Sequence, residues 1–95
     1  LRDAPRPYLD DRAVGCIVVA DGWQACGTTL VALRSIVHAL RGWPTPMGAV
    51  LNSAAGLFDQ TGRLREDRDA GQLETVAVQV VSFARAWRAR PRAAR

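Results

Sequence analysis

Asp21-Gly22-Trp23-Gln24 places a carboxylate, a permissive backbone position, an indole and an amide in succession, directly after the apolar run Val14-Gly15-Cys16-Ile17-Val18-Val19-Ala20. A carboxylate accepts ligand N–H groups, and an indole lies flat against a planar ring. A loop beyond the carboxyl end of a buried strand is also where open α/β sheets hold their ligands. The loop Asp21–Gly27 is therefore where binding chemistry is expected. The remaining candidates carry less chemistry. Gly22 and Gly27 have the glycine spacing of a phosphate loop but not the Lys-Ser/Thr that must follow it. His38 sits in a helical stretch beside Arg34 and Arg41, without the cleft and partner that acid–base work needs, and reads as a solvated or interface histidine. No Ser/His/Asp set and no metal-ligand cluster can be assembled. Cys16 and Cys26 match neither a C-x-x-C pair nor a zinc spacing, and read as free thiols of a reducing compartment.

The elements that must position the candidate loop follow from periodicity. Residues 14–20 show no polar alternation, as in a strand buried on both faces. Residues 21–27 read as a Gly-containing loop that holds Cys26. A helix follows over 28–41, with Thr28 or Thr29 to cap it and Leu30, Leu33, Ile36, Val37 and Leu40 as its apolar stripe. Arg34, His38 and Arg41 fall on another face. Gly42 and Pro44 end the helix. A second apolar run covers 45–51, with Pro46 tolerated only near its start. Two buried runs joined by an amphipathic helix predict a βαβ unit with parallel strands and a right-handed crossover. Residues 58–64 read as a tight turn, with Asp59 accepting backbone N–H groups and Gly62 at positive φ. Over 66–89, Leu73, Val76, Ala77, Val80, Ala84 and Trp87 make a helical stripe. Val76, Val78 and Val80 also alternate as in a strand, but the pattern runs well past strand length and favours helix. Val78, Val81 and Phe83 lie beyond the main stripe and suit core or interface. The order is β-α-β-α.

Ninety-five residues allow one domain with a small core. An extended lead-in over 1–13, on which Tyr8 and Leu9 dock against a neighbouring surface, precedes a partial α/β domain over 14–89 and an Arg-rich tail over 90–95. There is no apolar run near the roughly 20 residues of a membrane span and no signal-peptide pattern. The default expectation is a cytoplasmic protein without membrane or nucleic-acid partners. The chain opens on Leu1 and its sole methionine is Met47, which predicts a fragment, a processed piece or an incomplete reading frame. All 13 basic residues are arginine, a usage that points to a GC-rich genome more than to recognition. Arg85, Arg88, Arg90, Arg92 and Arg95 concentrate the +4 net charge at the C-terminus. Without aromatics interleaved beyond Trp87, that tail reads as solvated rather than as a nucleic-acid contact. Two parallel strands alone leave an open edge and little doubly covered interior, so the chain should want a partner.

The run 14–20 with its Gly-bearing loop, then Leu33-Arg34-Ser35-Ile36-Val37-His38-Ala39-Leu40-Arg41-Gly42-Trp43-Pro44 with Pro46, then Phe58-Asp59-Gln60-Thr61-Gly62-Arg63-Leu64, resembles the C-terminal half of NAD(P)H-dependent FMN reductases of flavodoxin-like fold. The resemblance covers roughly residues 8–85 and contains no catalytic motif. It implies a parallel sheet of order 2-1-3-4-5, of which this chain supplies strands 4 and 5 with their helices, and FMN and NAD(P)H as cofactors. It also implies a dimer or tetramer, or a complex with a flavodoxin-like subunit. The family's phosphate-cradling loop and its Asn/Gly-rich loop have no counterpart in this sequence. The loop that lies along the isoalloxazine maps onto Ala20, Asp21, Gly22, Trp23 and Gln24. Asp21 and Trp23 depart from the small polar residue and glycines usual there. A negative charge at Asp21 near the N1–C2 carbonyl region would disfavour the anionic reduced flavin. The alternative function is a non-catalytic module that completes the sheet of a flavodoxin-like partner through the free edge of strand 14–20.

Overall fold

The computed structural model describes residues 8–91. Its elements run in the order β1 (Ala13–Val14), β2 (Ile17–Ala20), α1 (Trp23–Ala39), β3 (Trp43–Pro44), β4 (Ala49–Asn52) and α2 (Asp67–Arg88). β1 pairs with β3 and β2 with β4, both in parallel. The protein is thus a mixed α/β unit of two short parallel strand pairs and two helices, as the βαβ patterning predicts. Among the described residues neither pair has a third strand.

The first apolar run is split into β1 and β2, while the second, expected over 45–51, is strand only from Ala49, with β3 lying ahead of it at Trp43–Pro44. Ala13 faces Trp43 and Val14 faces Pro44, but Ile17 faces Ala49. Four residues, 45–48, therefore stand opposite two, 15–16. The surplus forms a bulge that satisfies its own polar groups. The Thr45 hydroxyl donates to the Met47 carbonyl at 2.9 Å, and Arg34 donates to the Thr45 carbonyl. Arg34 thereby turns inward, away from the solvent-facing group with His38 and Arg41 that helical spacing suggests. The proline inside a strand is Pro44, and Pro46 lies exposed in the bulge.

The first helix starts five residues before the expected Thr28. Gly22 occupies its N-cap position at φ 113°, ψ 143°, with no side-chain cap, and its carbonyl accepts the Cys26 N–H at 3.1 Å. Residues 23–27 are therefore helix rather than loop, and Cys26 is wholly buried within it. Its thiol points at the carbonyls of Leu51 (3.6 Å) and Ala20 (3.7 Å). Both cysteines are free, as expected.

The helix ends in a Schellman motif. Arg41 N–H donates to the His38 carbonyl at 2.9 Å and Gly42 N–H to the Val37 carbonyl at 3.0 Å. The left-handed residue is Arg41, at φ 69°, whereas Gly is the usual occupant of that place. Gly42 is instead required by crowding. A Cβ there would stand 2.9 Å from Val37 Cγ1 and 3.3 Å from both Leu9 Cβ and Val14 Cγ2. Leu9 docks as expected, its N–H donating to the Leu40 carbonyl at 3.1 Å. The expectations for 1–7 and for the end of the arginine tail at 92–95 lie outside the described residues.

Residues 67–88 form one helix, which decides the helix–strand ambiguity. α2 packs along β4 and β1, while α1 covers β2, β3 and β4. One glutamine on α2 closes the outer edge of β4 and a second holds the bulge that precedes it. The Gln72 amide accepts the Val50 N–H at 3.0 Å and donates to the Val50 carbonyl at 3.1 Å. Gln79 accepts the Met47 N–H at 2.8 Å. α2 stands where a neighbouring strand otherwise would. Further along α2, Phe83 joins Trp43 and Trp87 in an aromatic cluster with centroids 5.2–6.1 Å apart, which gives Phe83 a packing role. The Arg90 guanidinium lies 4.0 Å above the Trp87 ring. Val78 and Val81 remain about half exposed.

The turn at 58–64 forms as read, closed by a bridge between Phe58 and Leu64. One Asp59 oxygen accepts from the Thr61 hydroxyl (2.6 Å), the Thr61 N–H (2.8 Å) and the Arg63 N–H (3.1 Å), and Gly62 has φ 84°. These bonds, the Thr61 hydroxyl foremost, hold the Asp59 pKa below its usual value. Because the folded pKa is lowered, the turn's stabilisation is complete above the unfolded carboxylate pKa and fades as pH falls through the folded one. In an NMR titration, the Thr61 and Arg63 amides should shift together, with a midpoint below that of an unstructured aspartate. A midpoint at the ordinary value would contradict the arrangement.

Candidate functional site

Because both strand pairs are parallel, the chain leaves β2 and β4 at the same end of the ribbon. Asn52, the last residue of β4, ties the two exits together. Its Oδ1 accepts the Gly22 N–H and the Ala54 N–H, both at 3.0 Å. This bond across 30 residues draws the chain straight from β2 into α1 and accounts for the early helix start. Ala20 closes β2 and is half-buried. Asp21 and Gly22 form the whole connection, and Trp23 and Gln24 open α1.

The five candidate residues are therefore contiguous and at the carboxyl end of the strands, but on a short bend and a helix start rather than on a long loop. Asp21, Gly22, Trp23 and Gln24 line one side of a shallow open depression shared with Thr28 and Thr29. A better-formed cleft, of about 410 Å³, lies on the other side of Trp23. Asn52, Arg65, Glu66, Arg68 and Asp69 line it together with Trp23. The Trp23 side chain is half exposed, and the Arg68 guanidinium lies 4.7 Å from its ring centroid. Arg65 donates to the Ala55 carbonyl.

Asp69 differs from the other charged residues of this cleft. It sits in the first turn of α2 and is only 4% exposed. Its carboxylate has no hydrogen-bond or ion-pair partner among the described residues. The first turn of a helix favours a carboxylate there through the macrodipole, and its oxygens, which are not among the fully buried unpartnered atoms, keep contact with the cleft.

No protein-family model matches this chain, and neither a curated protein nor a solved structure does.

The site is thus described by its own geometry. Of its lining, sequence reasoning reached Trp23 and missed Asn52, Arg65, Arg68 and Asp69. A signal existed only for Asn52, which stands at the end of the second apolar run as Ala20 stands at the end of the first. The other three are ordinary charged residues just before a helix (Arg65) or in its first turn (Arg68, Asp69), and the cleft forms only when α2 folds back on β4. Among the described residues no three His, Cys, Asp or Glu side chains could hold a metal ion, and no helix is long and apolar enough to cross a membrane.

Proposed function

We propose that this chain is a portion of a flavodoxin-like NAD(P)H-dependent FMN reductase, contributing one wall of a flavin site. The reading rests on the carboxyl-end cluster. Trp23 presents an indole to a planar ring, and Asn52, Asp69 and the Asp21–Gln24 backbone offer polar groups around it. These residues suit the ring and side chain of FMN. Nothing among them suits its phosphate, since Gly22–Gly27 lacks the residues of a phosphate loop and Arg65 and Arg68 share the cleft with Glu66 and Asp69. Bound FMN supplies the hydride-accepting chemistry, and the protein's part is to orient it and exclude water.

A second reading has an observation of its own in its favour. The outer edge of β4 is closed at Val50 by Gln72, whereas among the described residues β2 pairs on one side only. Ile17 and Val19 on that strand are 50% and 55% exposed. Such an edge suits a module that extends the sheet of a partner subunit.

One preparation separates the two. FMN titrated into the purified chain should lose fluorescence saturably, without NAD(P)H oxidation by the 95-residue chain alone. Absence of quenching removes the flavin reading. A strictly monomeric mass by light scattering, with cooperative unfolding, removes the sheet-completing module.

A further inference from the structure

We propose that the cleft between Trp23 and the first turn of α2 is a site for a vicinal diol, with the Asp69 carboxylate as its acceptor. The diol is that of a nucleoside ribose, a ribityl chain or a free polyol.

The argument starts from Asp69. It is more than nine-tenths buried, lies in the wall of the cleft, and has no partner among the described residues. An ionised carboxylate accepts at two oxygens and donates nothing, so the missing groups are donors. The charge of the lining decides which donors. Arg65 and Arg68 stand against Glu66 and Asp69, and the α2 N-terminus adds its partial positive charge. The lining thus balances two cations against two carboxylates, while the Asp69 oxygens have no partner among the described residues. That situation favours neutral O–H donors over another cation. Two adjacent hydroxyls reach both oxygens at once, with the short bonds that an anionic acceptor makes.

The neighbours complete the match. Asn52 has spent its Oδ1 on Gly22 and Ala54, which leaves its amide N–H groups to donate to a hydroxyl oxygen. Trp23, half exposed, offers an apolar face for the ring attached to the diol. A volume of about 410 Å³ lies within the range of small-molecule sites, about 300–1,000 Å³. The inference shares this cleft with the flavin reading but does not require it, since the diol chemistry is the same whichever ring is attached.

Calorimetric titration of the purified chain tests it with five probes. These are adenosine, 2′,3′-dideoxyadenosine, FMN, lumiflavin (the flavin ring without its ribityl chain) and ribitol. Adenosine should bind, and dideoxyadenosine should bind about tenfold more weakly or less, the scale of one hydrogen bond to a charged group. Asp69→Asn should lose the same factor for adenosine and leave dideoxyadenosine unchanged. Binding of ribitol without adenosine would support the diol and assign it to a free polyol. Equal affinity for adenosine and its dideoxy form, full adenosine affinity in D69N, or no binding of any diol would each overturn the proposal. If D69N does not fold, the adenosine pair on the unaltered chain decides. Lumiflavin binding as tightly as FMN would overturn the diol while sparing the flavin reading. Adenosine binding without FMN binding would do the reverse.

Discussion

Gly15→Val should destabilise the protein by about 3 kcal/mol, the upper part of the usual range for overpacking a close-packed interior. Gly15 separates β1 from β2 where α2 passes over the ribbon. Even a Cβ at this position would collide with Val76 Cγ1 and stand 3.0 Å from Val80 Cγ2. Val76 is 3% exposed, and a β-branched residue in a helix has one strongly preferred rotamer, so it cannot swing aside. The strain must move α2 off β1, in a chain whose fully buried apolar side chains are few. Urea unfolding should show the loss as a fall in midpoint at similar slope. Val76→Ala in the G15V background should recover part of it, because the two residues are in direct contact. An unchanged midpoint in G15V would mean that α2 does not approach the ribbon as described.

Gln72→Leu should cost about 2 kcal/mol, although it adds apolar surface at a similar volume. The side chain satisfies both the N–H and the C=O of Val50, and leucine would leave two backbone groups of a part-buried edge facing hydrocarbon. Hydrogen exchange gives the sharper test. The Val50 amide points away from β2, so its protection in the native state comes from Gln72 alone and should vanish in the variant. Gln72→Glu keeps an acceptor for the Val50 N–H but sets a carboxylate against the Val50 carbonyl, and should protect the amide while still lowering stability. Persistent Val50 protection in Q72L would mean that something other than this glutamine closes the edge.

The two edges bear on function in opposite ways. Gln72 seals β4 at Val50 against further pairing, which leaves β2 as the open edge of that strand pair. The depression between Ile17, Val19 and Ile36 runs along that same open side. The cleft proposed for a ligand lies instead at the carboxyl end, between Trp23 and α2. The two proposed functions therefore use different surfaces, and neither precludes the other.

How much of this was legible in the chain depends on the range of the interaction. Alternation, helical stripes and turn chemistry are local, and they determined the βαβ order, the parallel pairing, the turn held by Asp59 and the long second helix. Cys26, Leu30, Leu33 and Val37 even carry the helical spacing that extends α1 back toward Trp23, although a cap at Thr28 is the more obvious start. Position 22 is settled by Asn52, thirty residues away, and no local pattern announces that bond. The same holds for Arg41, which takes the left-handed turn because Gly42 is needed where Val37, Leu9 and Val14 converge. The bulge at 45–48 is a matter of register between strands, which the composition of either strand alone does not specify. Asp69 reads in sequence as a helix-start carboxylate that macrodipole electrostatics would favour on any helix. It becomes a buried, unpartnered acceptor only because α2, anchored by Gln72 and Gln79, folds its first turn against the end of β4. Local patterns determined which elements form. Contacts between residues far apart in the chain decided where those elements stop and which side chains meet at the site, because such contacts depend on a packing that no short window contains.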